Sequence, residues 1–228
     1  MRHETDIADT IGTLSVGAVK SGWYKRSFDL MLLVSAHLLL FPLWLTLWTL
    51  IPLLIWLEDR GPIFYRQQRM GKGGRVFTVS KFRTMVSEAD HRGPAWTREG
   101  DPRVTRVGRL LRKTALDELP ELLSIWRGDM SFVGPRALDA TEHRLLEEQI
   151  LGFAARLGVK PGLTGLSQVY NLADDSQVKL RYDLEYIERM TPLLDLKLLL
   201  FSLLNTLSAR WDRRSGKGRQ DNGSGSWR

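Results

Sequence analysis

The 228-residue sequence contains no cysteine, which excludes disulfide frameworks, thiolate metal sites and cysteine nucleophiles, and fits a cytosolic location. It also lacks HxxxH and GxSxG patterns, so the usual zinc hydrolases and serine esterases are excluded. No internal repeat is present. An apolar fraction of 43% with 26% charged residues is typical of a folded protein and excludes wholesale disorder.

Acidic residues are the scarcer charge, with 26 Asp and Glu against 33 Lys and Arg, which gives a net charge of +7. Such an excess is typical of proteins with a polyanionic partner: nucleic acid, anionic lipid or a phosphorylated substrate. Residues 209–228 hold six basic and two acidic residues, so they carry +4 and the rest of the chain carries +3. We expect residues 209–228, which are rich in Gly, Ser and Arg, to form a basic disordered tail.

One long stretch has no formally charged side chain: residues 30–57, bounded by Asp29 and Glu58. This length predicts membrane insertion and is too long for a signal peptide. As one straight helix it would measure about 42 Å, against roughly 30 Å of hydrocarbon in a bilayer. Pro42 lies near its middle and predicts a kink, because proline removes a backbone donor and clashes with the preceding turn.

The flanks of this segment bear on its topology. Basic residues precede it (Lys20, Lys25, Arg26) and follow it (Arg60, Arg66, Arg69, Lys72, Arg75). Basic flanks favour the cytoplasmic side of a membrane. A helix–break–helix that enters the membrane and returns to the same side keeps both flanks on the cytoplasmic side. The sequence therefore favours a re-entrant membrane helix over residues 23–58, preceded by a mobile leader over residues 1–22. A single crossing of the membrane is the alternative.

Residues 59–208 are expected to form a compact, mainly helical cytosolic domain with a small sheet, so the predicted fold class is α+β. Residues 63–85 predict a small β-hairpin whose turn is Gly71-Lys72-Gly73-Gly74, since the glycine spacing does not fit a phosphate-binding P-loop. A basic amphipathic helix is indicated by one apolar stripe (Val104, Val107, Leu110, Leu111). It is either interfacial, lying on the membrane, or a core-packed helix with a solvated basic face.

A cluster of carboxylates marks the start of the next helical pattern. Asp117 and Glu118 are adjacent, Glu121 follows one turn later, and Pro120 is expected in the first turn of a helix. The simplest interpretation is an acidic first turn in water, because the positive helix N-terminus offsets the mutual repulsion. Function has to be argued from the other residues of the chain.

Three basic residues make a functional interpretation stronger: Lys81, Arg83 and, in a tight Gly-Pro-Arg turn, Arg136. Carboxylates that can hold a divalent metal, together with guanidinium groups that bind phosphate oxygens, are what phosphoryl transfer from a nucleotide requires. For each single basic residue, a surface salt bridge is the alternative interpretation.

Short blocks of residues follow one another in a fixed order over roughly residues 23–200. They are Lys25-Arg26-x-Phe28-Asp29, Gly61-Pro62-x-Phe64-x-x-Gln67-x-Arg69-x-Gly71, Lys81-Phe82-Arg83-Thr84-Met85, Asp101-Pro102-Arg103-x-Thr105-x-x-Gly108-x-x-x-Arg112, Leu116-Asp117-Glu118-Leu119-Pro120, Gly128-Asp129-Met130-Ser131-x-Val133-Gly134-Pro135-Arg136, Lys160-Pro161-Gly162-x-Thr164-Gly165, Tyr182-Asp183 and Leu194-Asp195-Leu196-Lys197. In these blocks the chain resembles the small monotopic phosphoglycosyl transferases, bacterial enzymes that load sugar phosphates onto polyprenyl phosphate.

The resemblance implies that residues 59–208 are a cytosolic catalytic domain and that the mechanism is covalent. Asp117 would be the nucleophile that attacks the β-phosphate of a UDP-sugar and releases UMP, and polyprenyl phosphate would then accept the sugar phosphate. Mg²⁺ is the implied cofactor, with Asp117 or Glu118 near it, and Glu118 is expected to position groups or hold the metal. The candidate phosphate contacts are Lys81, Arg83, Arg112 and Arg136.

The resemblance also implies partners and a location. The expected partners are a UDP-sugar, polyprenyl phosphate and membrane lipid, with no nucleic acid and with a homodimer left open. The expected location is the cytoplasmic face of a bacterial inner membrane, with the re-entrant helix broken at Pro42. Two positions depart from the family pattern: Phe41 replaces a frequent serine, and Ala137 replaces a frequent proline, which is expected to loosen the turn at Arg136.

A function of another class stays open at this point. The chain could be a membrane-tethered binding module whose basic tail docks onto anionic lipid or nucleic acid. That hypothesis predicts salt-sensitive binding that resides in residues 209–228, and it leaves the carboxylate cluster unexplained.

Overall fold

A computed structural model describes residues 22–89, 100–170 and 175–207 of the chain. The expected leader, apart from Gly22, and the expected tail lie outside these residues. The described part is mainly helical and has two small two-stranded sheets, which confirms the α+β fold class.

The apolar segment forms two helices that are separated by a break. Helix α1 spans Lys25–Leu39 and helix α2 spans Phe41–Glu58, and Leu40 between them has non-helical dihedrals of φ −110° and ψ 25°. The break therefore falls two residues before Pro42. Pro42 lies in the first turn of α2, where its missing N–H removes no helical hydrogen bond.

Contacts across the break join the two helices. The indole Nε1 of Trp44 donates a hydrogen bond to the carbonyl oxygen of Ala36 at 2.9 Å. The ring of His37 stacks on that of Trp44, with centroids 4.4 Å apart and planes 5° apart, and its Nδ1 lies 2.7 Å from the carbonyl oxygen of Leu33. These contacts fix the bend between α1 and α2 from within the segment itself.

Within the described part of the chain, α2 is the one helix that is long and apolar enough to cross a membrane. Only 11% of its apolar window is buried inside the structure. Its exposed side chains are mostly large and apolar: Phe41, Leu43, Leu45, Leu50, Leu53, Leu54, Trp56 and Leu57. An apolar surface of this extent is typical of a membrane contact rather than of a water-exposed helix.

The predicted hairpin is confirmed. Strand β1 (Phe64–Met70) pairs antiparallel with β2 (Val76–Phe82), and a 3₁₀ turn over Lys72–Gly74 connects them. Gly73 and Gly74 adopt φ values of 66° and 78°, a left-handed conformation that glycine tolerates best. The glycines therefore serve the turn, as the sequence predicts.

The acidic segment follows helix α3 (Arg106–Thr114). It forms a 3₁₀ helix over Leu116–Glu121, and helix α4 (Leu122–Arg127) begins after it. The expectation that Pro120 lies in the first turn of one continuous helix is wrong, since Pro120 lies inside the 3₁₀ helix and α4 starts at Leu122.

The remaining elements complete the domain, and the last of them matches an apolar helical pattern of the sequence over residues 193–207. In chain order they are β3 (Ser131–Val133), α5 (Ala140–Gln149), a 3₁₀ helix (Phe153–Gly158), β4 (Gly162–Thr164), α6 (Leu166–Tyr170), α7 (Ser176–Arg189) and α8 (Pro192–Leu207). Strands β3 and β4 pair in parallel. Helix α8 buries Leu198, while Leu193, Leu200 and Leu204 are exposed on it.

One hydrophobic cluster packs the apolar helix against the acidic segment. Ile51 and Ile55 of α2 are buried with Phe82 of β2, Leu111 of α3 and Leu119 of the 3₁₀ helix. Helix α3 packs on the core through Leu111, which is 3% exposed, while Leu110 beside it is 59% exposed; its interfacial role stays a prediction. The segment that carries Asp117 and Glu118 is therefore held directly on the helix proposed to contact lipid.

Candidate active site

Helix α3, which precedes the carboxylate segment, is defined by specific contacts or conformations at both of its ends. The carboxylate oxygens of Glu58, at the end of α2, accept hydrogen bonds from the backbone N–H groups of Arg106 and Val107 at 2.7 and 2.8 Å. This contact caps the N-terminus of α3. At the other end Ala115 adopts a left-handed conformation, with φ 56°, which ends α3 and turns the chain into the 3₁₀ helix.

Glu118 lies between two cations. Its Oε1 lies 2.6 Å from Lys81 Nζ, on β2, and 3.7 Å from Arg136 Nη2. Burial favours the neutral acid, but the two cations outweigh it and lower the pKa of Glu118. Three of the residues predicted for the site therefore meet, although they lie 18 to 55 positions apart in the sequence.

Asp117 is placed differently. Among the residues that the structure describes, its carboxylate has no hydrogen-bond or ion-pair partner other than its own backbone amide. Burial and the neighbouring charge of Glu118 raise its pKa to about 6, while Lys81 and Arg112 act in the opposite direction. Asp117 is thus an ionisable carboxylate with unengaged oxygens, which a nucleophile or a metal ligand needs.

Arg112 also belongs to this site. Its Nε donates a hydrogen bond to Thr84 Oγ1 at 2.8 Å. Burial lowers the pKa of Arg112, and the charge of Asp117 opposes that effect. The guanidinium therefore lies within electrostatic reach of Asp117, and the remaining N–H groups have no partner in the described part of the chain.

Arg83 lies elsewhere. It is buried at the C-terminal end of α2, where Nη1 donates to Ser87 Oγ at 2.7 Å and Nη2 donates to the carbonyl oxygen of Asp59. Nη2 also lies 3.6 Å from Asp59 Oδ2. The structure does not bring Arg83 to Asp117 and Glu118, so its role as a phosphate contact stays a prediction without a supporting contact.

Two residues that sequence reasoning left out of the site line the same narrow cleft, which is called the charged cleft below: Arg69 and Glu121. The charged cleft is lined by Arg69, Lys81, Glu118, Glu121 and Arg136, with Val79, Met130, Ala137, Gly162 and Leu163 as its less polar walls. Glu121 Oε1 lies 3.1 Å from Lys81 Nζ, and Arg69 Nη1 donates to the carbonyl oxygen of Ala137 at 2.9 Å.

The strand pairing of the hairpin could have indicated that Arg69 belongs to the site. Lys81 pairs with Tyr65, and Arg69 pairs with Phe77. Side chains alternate between the two faces of a strand, so Tyr65 and Arg69 share the face that carries Lys81. Once the hairpin is recognised, the period of two therefore places Arg69 and Lys81 on the same face of the hairpin.

The turn that carries Arg136 is held by backbone contacts. Gly134 N–H donates to the carbonyl oxygen of Thr164, and Gly162 N–H donates to that of Pro135, both at 2.9 Å. A Cβ on Gly134 would lie 2.5 Å from the carbonyl oxygen of Lys160, so only glycine fits at this position. Strand β4 thus restrains the turn that was expected to loosen at Ala137.

A buried network ties this turn to the start of α1. Lys25 Nζ donates to the carbonyl oxygen of Val133 at 2.6 Å and to Tyr186 Oη at 2.7 Å, and lies 2.8 Å from Asp195 Oδ2. Asp195, on α8, is fully buried and also accepts hydrogen bonds from Tyr186 and Tyr24. Helices α1 and α8 therefore hold the strand that leads into the Arg136 turn.

The donor set fits Mg²⁺. Within the described residues no group of three or more His, Cys, Asp or Glu side chains converges on one point. Protein sites for Mg²⁺ commonly use one or two carboxylates together with substrate phosphates and water. The Asp117 carboxylate has no side-chain partner among the described residues, while Oε1 of Glu118 already contacts Lys81, so Asp117 is the better candidate and Glu118 is its neighbour.

Comparison with known proteins identifies the family. The family model "Bacterial sugar transferase" matches residues 20–209. The chain is 37% identical over 187 residues to the UDP-N-acetylgalactosamine-undecaprenyl-phosphate N-acetylgalactosaminephosphotransferase of Aeromonas hydrophila, covering 80% of this chain and 43% of that protein. It is 40% identical over 190 residues to the UDP-glucose:undecaprenyl-phosphate glucose-1-phosphate transferase of Caulobacter vibrioides, covering 81% of this chain and 70% of the relative.

A third relative is similar in length to the match. The exopolysaccharide production protein PSS of Rhizobium leguminosarum bv. phaseoli is 34% identical over 194 residues, which cover 81% of this chain and 95% of that protein. By contrast, the chain spans less than half of the Aeromonas protein. Because the family model matches most of the chain and two of these relatives are matched over most of their length, the chain belongs to the bacterial sugar transferase family.

Proposed function

We propose that the chain transfers a sugar 1-phosphate from a UDP-sugar to undecaprenyl or a similar polyprenyl phosphate, which gives a polyprenyl diphosphosugar and UMP. This reaction would be the first membrane step of a bacterial glycan such as an exopolysaccharide, an O-antigen or a glycoprotein glycan. The proposal is supported by the family and by the printed names of the relatives. The observation that carries it is the unengaged carboxylate of Asp117 beside the Glu118–Lys81–Arg136 contacts.

In the first half-reaction a carboxylate oxygen of Asp117 attacks the β-phosphorus of the UDP-sugar. The bond between that phosphorus and the oxygen bridging the two phosphates breaks, and UMP leaves with the electron pair. The sugar phosphate remains on Asp117 as a mixed anhydride, which is reactive enough to be discharged in a second step of the same kind.

In the second half-reaction a phosphate oxygen of the polyprenyl phosphate attacks the same phosphorus. The bond from phosphorus to Asp117 breaks, and the carboxylate is regenerated. Lys81, Arg112 and Arg136 would bind phosphate oxygens in both steps, because ammonium and guanidinium groups make strong charge-assisted hydrogen bonds to them. Glu118 orients Lys81 and Arg136 toward the reacting phosphate.

Mg²⁺, when bound, would neutralise the negative charge of the diphosphate. Asp117 is the candidate ligand, with Glu118 beside it, because the Asp117 oxygens have no cation within hydrogen-bond distance among the described residues.

The proposed location is the cytoplasmic face of a bacterial inner membrane, with α1 and α2 inserted as a re-entrant helix. Three observations support this topology: the break at Leu40, the contacts of Trp44 across it, and the exposed apolar surface of α2. The basic residues on both flanks agree with it. The exposed apolar side chains of neighbouring helices would rest on the same membrane surface: Leu110, Leu123, Trp126, Leu193, Leu196, Leu200 and Leu204.

Substitution of the nucleophile tests the covalent mechanism. Asp117→Asn keeps the size of the side chain and removes the attacking carboxylate, so we expect UMP release from a UDP-sugar to be abolished. Intact-protein mass spectrometry of the wild type with UDP-sugar alone should show the mass of a sugar phosphate added, mapped to Asp117. Glu148→Gln, an exposed carboxylate change on α5, is the control and should behave as the wild type. Turnover by Asp117→Asn at a rate close to that of the wild type would contradict the mechanism.

The sugar is identified in the same assay, with a panel of UDP-sugars presented together with polyprenyl phosphate. UMP formation with one member of the panel names the donor. No UMP from any UDP-sugar would overturn the proposed function.

Cysteine labelling tests the topology, since the native chain has no cysteine to interfere. Single-cysteine variants Lys20→Cys and Arg60→Cys are treated with an impermeant maleimide, in spheroplasts and in inverted vesicles. A re-entrant helix places both cysteines inside, so both are labelled only in inverted vesicles. Labelling of one of them in spheroplasts would show a single crossing instead.

A further inference from the structure

Glu121 is a buried carboxylate in the charged cleft to which the mechanism above gives no role. Glu121 is 7% exposed, and its Oε1 lies 3.1 Å from Lys81 Nζ. In the described part of the chain Lys81 is the one ion-pair partner of Glu121. Lys81 is thus shared by two glutamates of the same 3₁₀ helix, Glu118 and Glu121.

We propose that Glu121 is a positioning residue, which together with Glu118 holds the ammonium group of Lys81 at the charged cleft. The inference rests on the proposed function, because it assigns Lys81 the task of binding donor phosphate.

The charges around Lys81 show why a second carboxylate is needed. Glu118 Oε1 contacts both Lys81 at 2.6 Å and Arg136 at 3.7 Å, so one carboxylate serves two cations. The positive charge of Arg136 acts against the charged form of Lys81, whereas Glu118 and Glu121 favour it. The lining of the charged cleft holds two carboxylates and three cations, Arg69, Lys81 and Arg136. Without Glu121, Glu118 would be the single carboxylate in that lining opposite all three.

The hydrogen-bond geometry of Lys81 also supports a positioning role for Glu121. An ammonium group has three N–H donors. Two of them are used by Glu118 and Glu121, which fix the direction of the third. The side chain of Lys81 is 18% exposed, so the remaining donor is available at the cleft surface for a phosphate oxygen. Without Glu121, Lys81 would pair with Glu118 alone, and its free donors would no longer have one defined direction.

A double-mutant cycle between Glu121 and Lys81 tests this role. Misplaced groups in an active site cost roughly 10-fold to 100-fold in rate, so we expect Glu121→Ala to lower kcat/KM for the UDP-sugar by about 10-fold. Glu121→Gln keeps an oxygen that accepts from Lys81 and should recover part of the loss. In a Lys81→Ala background, Glu121→Ala should cause no further loss, because the group that it positions is gone.

The measurement is single-turnover UMP release with enzyme in excess, so that weak variants remain measurable. Glu148→Ala, an exposed carboxylate on α5 that contacts neither residue, is the matched control and should keep wild-type kinetics. Thermal unfolding of each variant checks the fold, and where Glu121→Ala unfolds, the cycle is run with Glu121→Gln.

The outcomes separate this inference from the proposed function. Equal kcat/KM for Glu121→Ala and wild type overturns the positioning role, and so does an equal loss in the presence and absence of Lys81. In both cases the wild type still releases UMP and the proposed function stands. A wild type that releases no UMP overturns the proposed function and this inference with it.

Discussion

Arg156 Nη2 donates a hydrogen bond to the backbone carbonyl oxygen of Arg136 at 2.9 Å. The same nitrogen lies 2.6 Å from Asp183 Oδ2, and the side chains of Arg156 and Asp183 are 2% and 1% exposed. A buried ion pair between a 3₁₀ helix and α7 therefore restrains the backbone of a candidate phosphate ligand. The direction of the Arg136 side chain therefore depends on the Arg156–Asp183 pair and on strand β4 together.

Removal of one partner of the pair should be costly. Arg156→Ala leaves the Asp183 carboxylate buried without a counter-charge, so we expect a loss of about 3–5 kcal/mol in the free energy of unfolding. Urea denaturation of detergent-solubilised protein measures it. The exposed pair Arg189–Glu185 on α7 supplies the control, since Arg189→Ala should cost less than about 1 kcal/mol. A loss for Arg156→Ala as small as that of the control would contradict the role of the pair.

The rate of the first step should depend on the ionisation of Asp117. In the proposed mechanism the attacking group is the Asp117 carboxylate, whose pKa is raised to about 6. We expect kcat/KM for the UDP-sugar to rise from pH 5 to pH 7 with a midpoint near pH 6, since kcat/KM reports groups of the free enzyme. A pH–rate profile under single-turnover conditions measures the midpoint. A flat profile over this range would show that Asp117 keeps the pKa of an ordinary aspartate.

The same raised pKa has a consequence for stability. The folded state holds the Asp117 proton more tightly than the unfolded state, whose pKa is near 3.8, so the fold loses stability as the pH rises from about 4 to about 6. Asp117→Asn removes this loss. We expect the variant to melt at a higher temperature than the wild type at pH 7.5 and at the same temperature near pH 4. A lower melting temperature at pH 7.5 would contradict the unfavourable burial of the charged form.

The contact of Glu58 with α3 should contribute to both stability and activity. Glu58→Ala leaves the N–H groups of Arg106 and Val107 without their carboxylate acceptor, and loss of a helix cap costs about 1 kcal/mol. Because α3 leads directly into Asp117, we expect kcat to fall together with stability. Glu58→Gln retains an amide oxygen as acceptor and should lose less of both. Wild-type values for Glu58→Ala in urea unfolding and in UMP release would exclude a role for this cap.

Much of the fold could be predicted because its signals are local. The hairpin follows from a glycine turn between two short runs rich in β-formers, 63–65 and 76–79. The helix break follows from Pro42 within an apolar run too long for one straight span. The split between the 3₁₀ helix and α4 was missed, because the backbone keeps right-handed helical dihedrals at Glu121 and Leu122, where one helix passes into the other. Strands β3 and β4 are three residues long, which is too short for a recognisable period.

The candidate site was predictable in its residue types and less so in its contacts. Lys81 and Arg136 both contact Glu118, because their charges are opposite to its charge. Arg83 has the same charge and stands two residues from Lys81, but Asp59 and Ser87 hold it at the end of α2. Only the tertiary structure distinguishes Arg83 from Lys81, because nothing in the sequence near position 83 indicates the partners of Arg83.

The bond from Trp44 to Ala36 has a consequence for biosynthesis. It joins residues only eight positions apart, and the stacked pair of His37 and Trp44 is closer still in sequence. Contacts of such short separation close quickly, because little chain entropy has to be lost. The bend can thus form once residue 44 has left the ribosome, because it needs no contact from the later part of the chain that carries Asp117. In the proposed topology, α1 and α2 would reach the membrane already bent, independent of the domain that later folds onto them.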